Sequence, residues 1–179
     1  YAREVMQLFT IGVHWLNPDG TQMLDNQNQP IPTYSQETVE GFARVFTGWT
    51  YANQGGGVAS KFYNDEYYAH PMVLFRNNNG VDVHHDKGQK TLLSLSPNGL
   101  PAILPANQDG TTDLAGALDN LFNHPNVGPF IGKQLIQHLV TSNPSPAYVS
   151  RVSSAFNEGK SFGFGSGKRG DMQAVIAAI

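Results

Sequence analysis

The stretch from Leu114 to Leu139 constrains the fold most, because it combines two apolar helical faces with a proline break. The first face has residues three and four positions apart: Leu114, Ala117, Leu118, Leu121 and Phe122. His124 and Pro125 end this helix, since the residue before a proline disfavours helical backbone angles. The second face has the same spacing: Val127, Phe130, Ile131, Leu135 and Leu139. Two such helices joined by a short turn predict an antiparallel helix hairpin with buried apolar residues.

The other periodic segments predict a mainly α fold of about five helices. Helix caps and stops occur along the chain at these residues: Gly12, Ser35, Gly48, Thr111, Thr112, Asp113, Ser145, Pro146 and Asp171. We therefore expect a single helical domain over residues 1–179, with the antiparallel hairpin at its centre and long polar loops.

The segments between the helices are polar or irregular. Residues 17–32 are rich in Asn, Asp, Gln, Gly and Pro, which is typical of a functional or mobile loop. Residues 61–95 have no helical period. Within them, residues 72–75 and 81–84 have the character of strands and flank a turn at residues 77–80. We expect at most a small β-hairpin there.

The composition limits the classes of function. Charged residues make up 14% of the 179 residues, against about 25% in an average domain, and the formal net charge is −3. No basic patch is visible, so we expect no nucleic-acid partner. No apolar run approaches the roughly 18 residues of a membrane helix, so we expect no membrane span. The absence of cysteine excludes disulfides and fits an exported bacterial protein.

The two ends of the sequence suggest a piece of a longer polypeptide. The chain begins at Tyr1 rather than at Met, and it ends at Ile179 within an amphipathic segment. We interpret it as a C-terminal fragment. The apolar face of residues 1–12 then needs a partner, which we expect to be the missing N-terminal half or another protein chain.

His84, His85 and Asp86 are the best candidates for a chemical site. Imidazole and carboxylate groups can bind a divalent metal, or can act as a base and its orienting group. On a regular strand, only His84 and Asp86 share a face. In the structural alternative, Asp86 begins a turn that a positive φ at Gly88 allows, and His85 bonds to the backbone. We favour this alternative, because no other spacing in the sequence matches a set of metal ligands.

Further charged residues are candidates for the same site: Arg3, Glu4, Arg44 and Lys90. Because charged residues are scarce, those among apolar helices are expected to meet in a hydrogen-bonded polar cluster with His85 and Asp86. Such a cluster either locks the fold or forms the wall of an active site. We favour the lock, since no activated nucleophile accompanies these residues.

Aromatic and histidine residues raise two further expectations. Aromatic residues are frequent near the polar loops: Trp15, Tyr34, Trp49, Tyr51, Tyr63, Tyr67 and Tyr68. They either stack on sugar rings, which makes carbohydrate a candidate partner, or hold the loops against the body of the protein. We expect His124 to cap the end of the preceding helix as a cation, and His138 to lie in the core.

Five blocks of sequence follow one another along the chain: YAREVMQL at 1–8, ARVFTGW at 43–49, HDKGQK at 85–90, NHPNVGPFIGKQL at 123–135 and RGDM at 169–172. In this order they resemble the blocks of a bacterial family known as domain of unknown function 1800. The resemblance implies a mostly helical fold, an exported protein, a longer chain and no established activity. Two positions depart from the family pattern: Phe9 stands where His is common, and Ser94 where Gly is common.

From the composition and the resemblance, we expect a binding or assembly module of a larger extracytoplasmic protein that is periplasmic, secreted or on the cell surface. The alternative is a hydrolase, metal-assisted or not, with its site near these residues: His85, Asp86, Arg3, Glu4 and Arg44. Convergence of those side chains in one open cleft would favour the hydrolase.

Overall fold

A computed structural model describes residues 1–56, 62 and 69–179. Within these residues there are six helices: α1 (Ala2–Gln7), α2 (Gln36–Val45), α3 (Gly110–Asn123), α4 (Val127–Leu139), α5 (Pro146–Glu158) and α6 (Met172–Ala178). There are also four short strands: β1 (Trp49–Thr50), β2 (Val73–Leu74), β3 (Lys90–Thr91) and β4 (Ile103–Leu104). The mainly α class is as predicted. In the described part of the chain, none of the helices is long and apolar enough to span a membrane.

The four strands form two separate antiparallel pairs. β1 pairs with β2, and β3 pairs with β4. The predicted hairpin of residues 72–75 with residues 81–84 is wrong, because residues 81–84 form no strand. The turn between them does form, since the Asn77 side chain accepts the backbone N–H of Val81 at 3.0 Å. That bond holds Val81 within the turn.

The chain divides into two compact units, each built from three stretches. Unit 1 contains residues 1–2, 36–92 and 101–120, and unit 2 contains residues 3–35, 93–100 and 121–179. The expectation of a single helical domain over residues 1–179 concerns how the units behave together, and it stays a prediction.

In unit 1, helix α2 packs closely against β3. Its Phe42 and Val45 are fully buried. Gly41 faces the backbone of Thr91, and a Cβ at this position would overlap the Thr91 carbonyl oxygen. Only glycine therefore allows the helix to lie this close to the strand.

In unit 2, helices α4, α5 and α6 pack one on the next. Glycines of α4 permit its close approach to α5: a Cβ at Gly132 would lie 3.1 Å from Val152 Cγ1. The predicted caps of α5 and α6 are confirmed. Ser145 accepts a hydrogen bond from the Tyr148 backbone with Pro146 at the first helical position, and Asp171 accepts bonds from two backbone N–H groups of α6.

The two helices of the predicted hairpin form at the expected positions, with a break at residues 124–126. Their packing against each other as a central hairpin stays a prediction, since the main partner of α4 is α5. Leu121 is buried as expected, but the predicted burial of Leu118 is wrong, because it is 50% exposed. The buried side of α3 runs through Asp113, Ala117 and Leu121, and Leu118 lies one residue further around the helix.

Three other residues of the predicted second face are only partly buried: Phe130, Ile131 and Leu135. The prediction that His138 lies in the core is wrong, because this residue is exposed on α4.

Candidate functional site

The carboxylate of Asp113 is the centre of a buried cluster in unit 1. Its Oδ2 accepts hydrogen bonds from Lys90 Nζ at 2.5 Å and from His85 Nε2 at 3.0 Å, and its Oδ1 accepts one from Gln108 at 2.7 Å. Burial acts to raise the pKa of Asp113, but these bonds and the Lys90 charge outweigh it and hold that pKa below its ordinary value. The Asp113 cluster is defined as Arg44, His85, Asp86, Lys90 and Asp113.

His85 has both ring nitrogens on acceptors. Nδ1 lies 3.0 Å from the carbonyl oxygen of Thr47, and Nε2 lies 3.0 Å from the carboxylate of Asp113. A carbonyl oxygen and an ionised carboxylate can only accept, so each ring nitrogen is engaged with a protein acceptor. The side chain is wholly excluded from solvent. His85 therefore has no free nitrogen with which to take a proton from a substrate.

Two glycines bring the backbone close to His85. Gly48 has a φ of +84°, and a Cβ there would lie 2.9 Å from the backbone nitrogen of His85. A Cβ at Gly110 would lie 3.0 Å from the imidazole ring. The segment after α2 and the start of α3 can therefore both lie against this histidine only with glycine at these positions.

Lys90 is 1% exposed, and its ammonium group is fully hydrogen-bonded. Nζ donates to the carbonyl oxygens of Asp86 at 2.6 Å and Gly88 at 3.0 Å, in addition to the carboxylate of Asp113. An ammonium group has three donors, so none remains for a ligand. Lys90 thus holds the turn of residues 86–90 against α3.

Arg44 and Asp86 form the outer side of the cluster, with about a third of each side chain exposed. The guanidinium binds the carboxylate through two bonds of 3.0 and 2.8 Å, and this pairing lowers the pKa of Asp86 to about 2. The predicted turn at Asp86 is confirmed, since its Oδ1 accepts the backbone N–H of Gly88 at 2.8 Å. The predicted positive φ at Gly88 is wrong. A Cβ at this residue would displace the Arg44 guanidinium from its place beside Asp86.

Unit 1 thus brings together four of the residues singled out in the sequence: Arg44, His85, Asp86 and Lys90. His84 lies apart from them, exposed, with its ring 4.1 Å from the Phe62 ring between centroids. Arg3 and Glu4 are exposed on α1 and belong to unit 2, so their place in a site stays a prediction.

The donor atoms of this region do not suit the metal site considered for His84, His85 and Asp86. The nitrogens of His85 and the oxygens of Asp86 are bonded to protein groups, and His84 stacks elsewhere. Among the residues that the structure describes, no three metal-ligating side chains are grouped to hold an ion.

The hydroxyl of Thr47 lies 3.5 Å from His85 Nδ1, and it already has hydrogen-bond partners in the protein. Its Oγ1 donates to the carbonyl oxygen of Arg44 at 2.6 Å and accepts the backbone N–H of Asp86 at 2.8 Å. The cluster therefore joins the end of α2, the 86–90 turn and the start of α3. Its chemistry is that of fixed hydrogen bonds rather than proton transfer.

The start of α3 differs from the expected cap. The helix begins at Gly110, and Asp109, not the Thr111–Asp113 segment, accepts the backbone N–H of Thr111 at 2.9 Å. The hydrogen bond from the Thr111 hydroxyl, the bond from its backbone and the contact with Arg76 hold the pKa of Asp109 below its ordinary value. The shift of the cap leaves Asp113 free to face the interior.

Unit 2 contains a groove of about 440 Å³ between α4 and residues 11–22. Its polar lining is neutral or cationic: His14, Gln22, Lys133, Gln134 and Gln137. Its apolar lining comprises Ile11, Val13, Leu16 and Phe130. No carboxylate lies among the described residues that line this groove. We call it the glutamine groove.

Asn126 fixes the wall of the glutamine groove. Its buried amide nitrogen donates to the carbonyl oxygens of Ile11 and His14, each at 2.8 Å, and its Oδ1 accepts the Leu16 backbone N–H at 3.0 Å. All three bonds reach the loop that follows α1, so one side chain sets the path of that loop along α4.

His124 is not the helix-capping cation that was predicted. Burial lowers the pKa of His124 to about 4, so the ring is neutral at pH 7, and Nδ1 accepts the Asn126 backbone N–H at 3.1 Å. Arg169 supplies the cation instead. It donates to the carbonyl oxygens of Phe122 at 3.1 Å and His124 at 3.0 Å at the end of α3.

Comparison with known proteins places the chain in a family. A family described as protein of unknown function (DUF1800) matches residues 1–179, which is the entire chain. The chain belongs to this family. No curated protein and no solved structure matches it. The family assignment therefore names no reaction for this DUF1800 chain, and function has to be argued from its sites.

Sequence reasoning about this DUF1800 chain missed the centre of its buried cluster. Asp113 was taken for a helix cap, although it stands four residues before Ala117 and eight before Leu121, on the buried side of α3. In the sequence, this spacing indicates that Asp113 lies on the same helix face as the two apolar residues. Thr47 and Gln108 gave no comparable signal, because both lie outside the helices, where no apolar period marks a buried position.

The seven aromatic residues singled out near the loops divide into three groups. Trp15 is only 3% exposed and packs on the His124 ring, with 4.4 Å between centroids, so it is not available to stack on a sugar. The described tyrosines and the second tryptophan are partly buried: Tyr34, Trp49 and Tyr51. The others lie outside the described residues: Tyr63, Tyr67 and Tyr68.

Proposed function

We propose that this DUF1800 chain is a binding module of a larger exported protein, and that its glutamine groove takes a neutral carbohydrate. The observation that carries the proposal is the lining of the groove, which sets three glutamine amides beside apolar side chains and includes no carboxylate among the described residues. A volume of about 440 Å³ lies within the range of pockets for small ligands.

The chemistry of the lining suits sugars. Each amide both donates and accepts, as each hydroxyl of a sugar does, and Lys133 adds further donors. Phe130 and Leu16 offer apolar surface to the C–H face of a pyranose ring. The amide nitrogen of Gln137 donates to the carbonyl of Ser142 at 3.2 Å, which orients this side chain in advance of a ligand.

The Asp113 cluster supports a binding module rather than an enzyme. His85 and Asp113 have no solvent-exposed side-chain surface, and their polar atoms are bonded to protein. We assign this cluster the role of a structural lock. The hydrolase alternative has less support, since a general base needs a free nitrogen or oxygen within reach of a substrate.

Export is part of the proposal and rests on composition. The chain contains no cysteine and few charged residues, which fits an extracytoplasmic protein whose surface is built from amides and hydroxyls. A reporter fused to the intact protein and assayed in separated cell fractions tests the location.

The binding proposal is tested on the intact protein by calorimetric titration with cellotetraose, maltotetraose and chitotetraose. We expect one of the three to bind, and Gln134→Ala and Gln137→Ala each to weaken it by about tenfold, as loss of a well-formed hydrogen bond does. The matched control is Gln173→Ala, an exposed glutamine on α6 outside the groove. Absence of binding by all three sugars, or an equal loss in the control, contradicts the proposal.

A further inference from the structure

A second pocket of unit 2, of about 420 Å³, has apolar walls and one polar side. The walls are formed mainly by a tryptophan, a methionine and prolines: Trp15, Met23, Pro18, Pro97, Pro125 and Pro129. The polar side is formed by Ser153 and Asn157 of α5 together with Arg169. We call it the arginine pocket.

The Ser153 hydroxyl is unusual among the polar groups of this unit. The residue is fully buried, and its Oγ has no hydrogen-bond partner among the described residues. Leaving a buried hydroxyl unpaired is unfavourable, and such a group in a native protein calls for an explanation. A ligand in the pocket that Ser153 lines supplies one.

Arg169 is a partly buried cation without a carboxylate partner among the described residues. Its three protein acceptors are neutral: the carbonyl oxygens of Phe122 and His124, and the side-chain oxygen of Asn157. A guanidinium has five N–H donors, so two remain. Its charge also lies over the rings of Phe122 and Phe156, which hold it in place. Burial lowers the pKa of Arg169, as expected for a cation with no anion beside it.

Gly128 of α4 packs closely against the polar side chains of α5. A Cβ at this residue would lie 2.9 Å from Ser153 Oγ and 3.2 Å from Asn157 Oδ1, so these two polar atoms lie against the same point of α4. Arg169 donates to that same oxygen of Asn157. The unpaired hydroxyl and the cation are therefore neighbours around one point of α4.

We propose that the arginine pocket binds a carboxylate that carries an apolar body. The carboxylate accepts hydrogen bonds from the remaining N–H groups of Arg169 and from the Ser153 hydroxyl, and the body lies against the methionine and proline walls. Capping of α3 accounts for the bonds of Arg169 to carbonyl oxygens, but it accounts for neither the unpaired hydroxyl nor the open apolar space. This inference is independent of the glutamine groove, because it concerns other polar residues and an anionic ligand.

The experiment compares 3-phenylpropionate with 3-phenylpropionamide by calorimetric titration of the intact protein. The two molecules share a body and differ in charge. We expect the acid to bind and the amide to bind at least about tenfold more weakly. N-acetyl-glycyl-phenylalanine and its C-terminal amide form a second pair, which tests a peptide C-terminus as the source of the carboxylate. Tighter binding of the peptide acid than of 3-phenylpropionate indicates a peptide C-terminus, and the reverse order indicates a free acid.

Ser153→Ala is the decisive variant, because removal of an unpaired hydroxyl leaves the melting temperature unchanged or raised. We expect it to weaken acid binding by about tenfold, while Ser154→Ala, an exposed neighbour on α5, leaves binding unchanged. The proposal is overturned if neither acid binds, if each acid binds no better than its amide, or if Ser153→Ala binds as the unmodified protein does.

Discussion

His85 Nε2 donates to the carboxylate of Asp113 at 3.0 Å, and neither side chain has any exposed surface. Lys90 donates to the same carboxylate oxygen at 2.5 Å. Removal of this one carboxylate leaves Lys90 without its buried anion and His85 without one of its two acceptors. Breaking a buried ion pair from one side is far more destabilising than the net worth of the pair, so Asp113 is the most sensitive position of the cluster.

The first prediction is that Asp113→Asn lowers the free energy of unfolding by about 3–5 kcal/mol, the usual loss for one member of a buried pair. Urea denaturation of the intact protein measures it. Asp119→Asn, on the exposed side of the same helix, is the matched control and should cost less than about 1 kcal/mol. A loss of similar size in both variants would contradict the role of this cluster as a structural lock.

The outer pair of the cluster should respond more weakly. Arg44→Met and Asp86→Asn each remove a contact that is about a third exposed, where solvent screens the charges. We expect each loss to be smaller than that of Asp113→Asn. Near-normal stability of all three variants together with loss of an activity would instead favour a catalytic site.

The second prediction concerns stability between pH 6.5 and 4. In the folded protein the pKa of His124 is about 4, while the unfolded chain takes up this proton near pH 6.5. The unfolded state therefore binds more protons than the folded state in this window. The contribution of neutral His124 to the free energy of unfolding is complete above pH 6.5 and is lost as the pH falls to 4. The difference between the folded and unfolded pKa of His124 corresponds to about 3 kcal/mol of unfolding free energy.

His124→Asn provides the measurement. An asparagine Oδ1 can replace Nδ1 as the acceptor for the Asn126 backbone, but it does not titrate. The variant should show a flatter curve of unfolding free energy against pH between 6.5 and 4, whatever its stability at pH 7. An unchanged slope in His124→Asn would show that this histidine is already protonated or not buried.

The third prediction is that Gly41→Ala is strongly destabilising, although alanine favours helices. A Cβ at residue 41 would overlap the carbonyl oxygen of Thr91, which is backbone and has little freedom to move. We expect a fall of more than about 2 kcal/mol, measured by thermal unfolding. Gly116→Ala is the control: its Cβ would meet only the mobile end of Leu104 at 2.9 Å, so the gain in helix propensity offsets the contact. Equal effects at both positions would contradict the close approach of α2 to β3.

The sequence predicted helices well where the apolar period and the caps agreed. The second helix of the proposed hairpin, the Ser145–Pro146 start and the Asp171 cap all lie where local chemistry places them. The strands were not predictable in the same way. β2 pairs with β1, more than 20 residues away along the chain, and neither strand is longer than two residues. No local pattern encodes such a pairing.

The candidate site was predictable in composition but not in role. Scarce charges among apolar helices indicated a polar cluster, and four of the residues named from sequence do meet. The protonation state of His124 was mistaken, because it depends on burial by residues such as Trp15 that are distant in sequence. A position next to a proline carries no information about that burial.

The bonds from Asn126 to the loop after α1 join residues 110 to 115 positions apart. During synthesis on the ribosome, the carbonyl groups of Ile11 and His14 emerge long before the side chain that will hold them. At roughly 5–20 residues per second this interval is on the order of 10 seconds. Throughout it the carbonyl groups of Ile11 and His14 lack their partner on α4, so this part of the nascent loop stays accessible to proteases and chaperones.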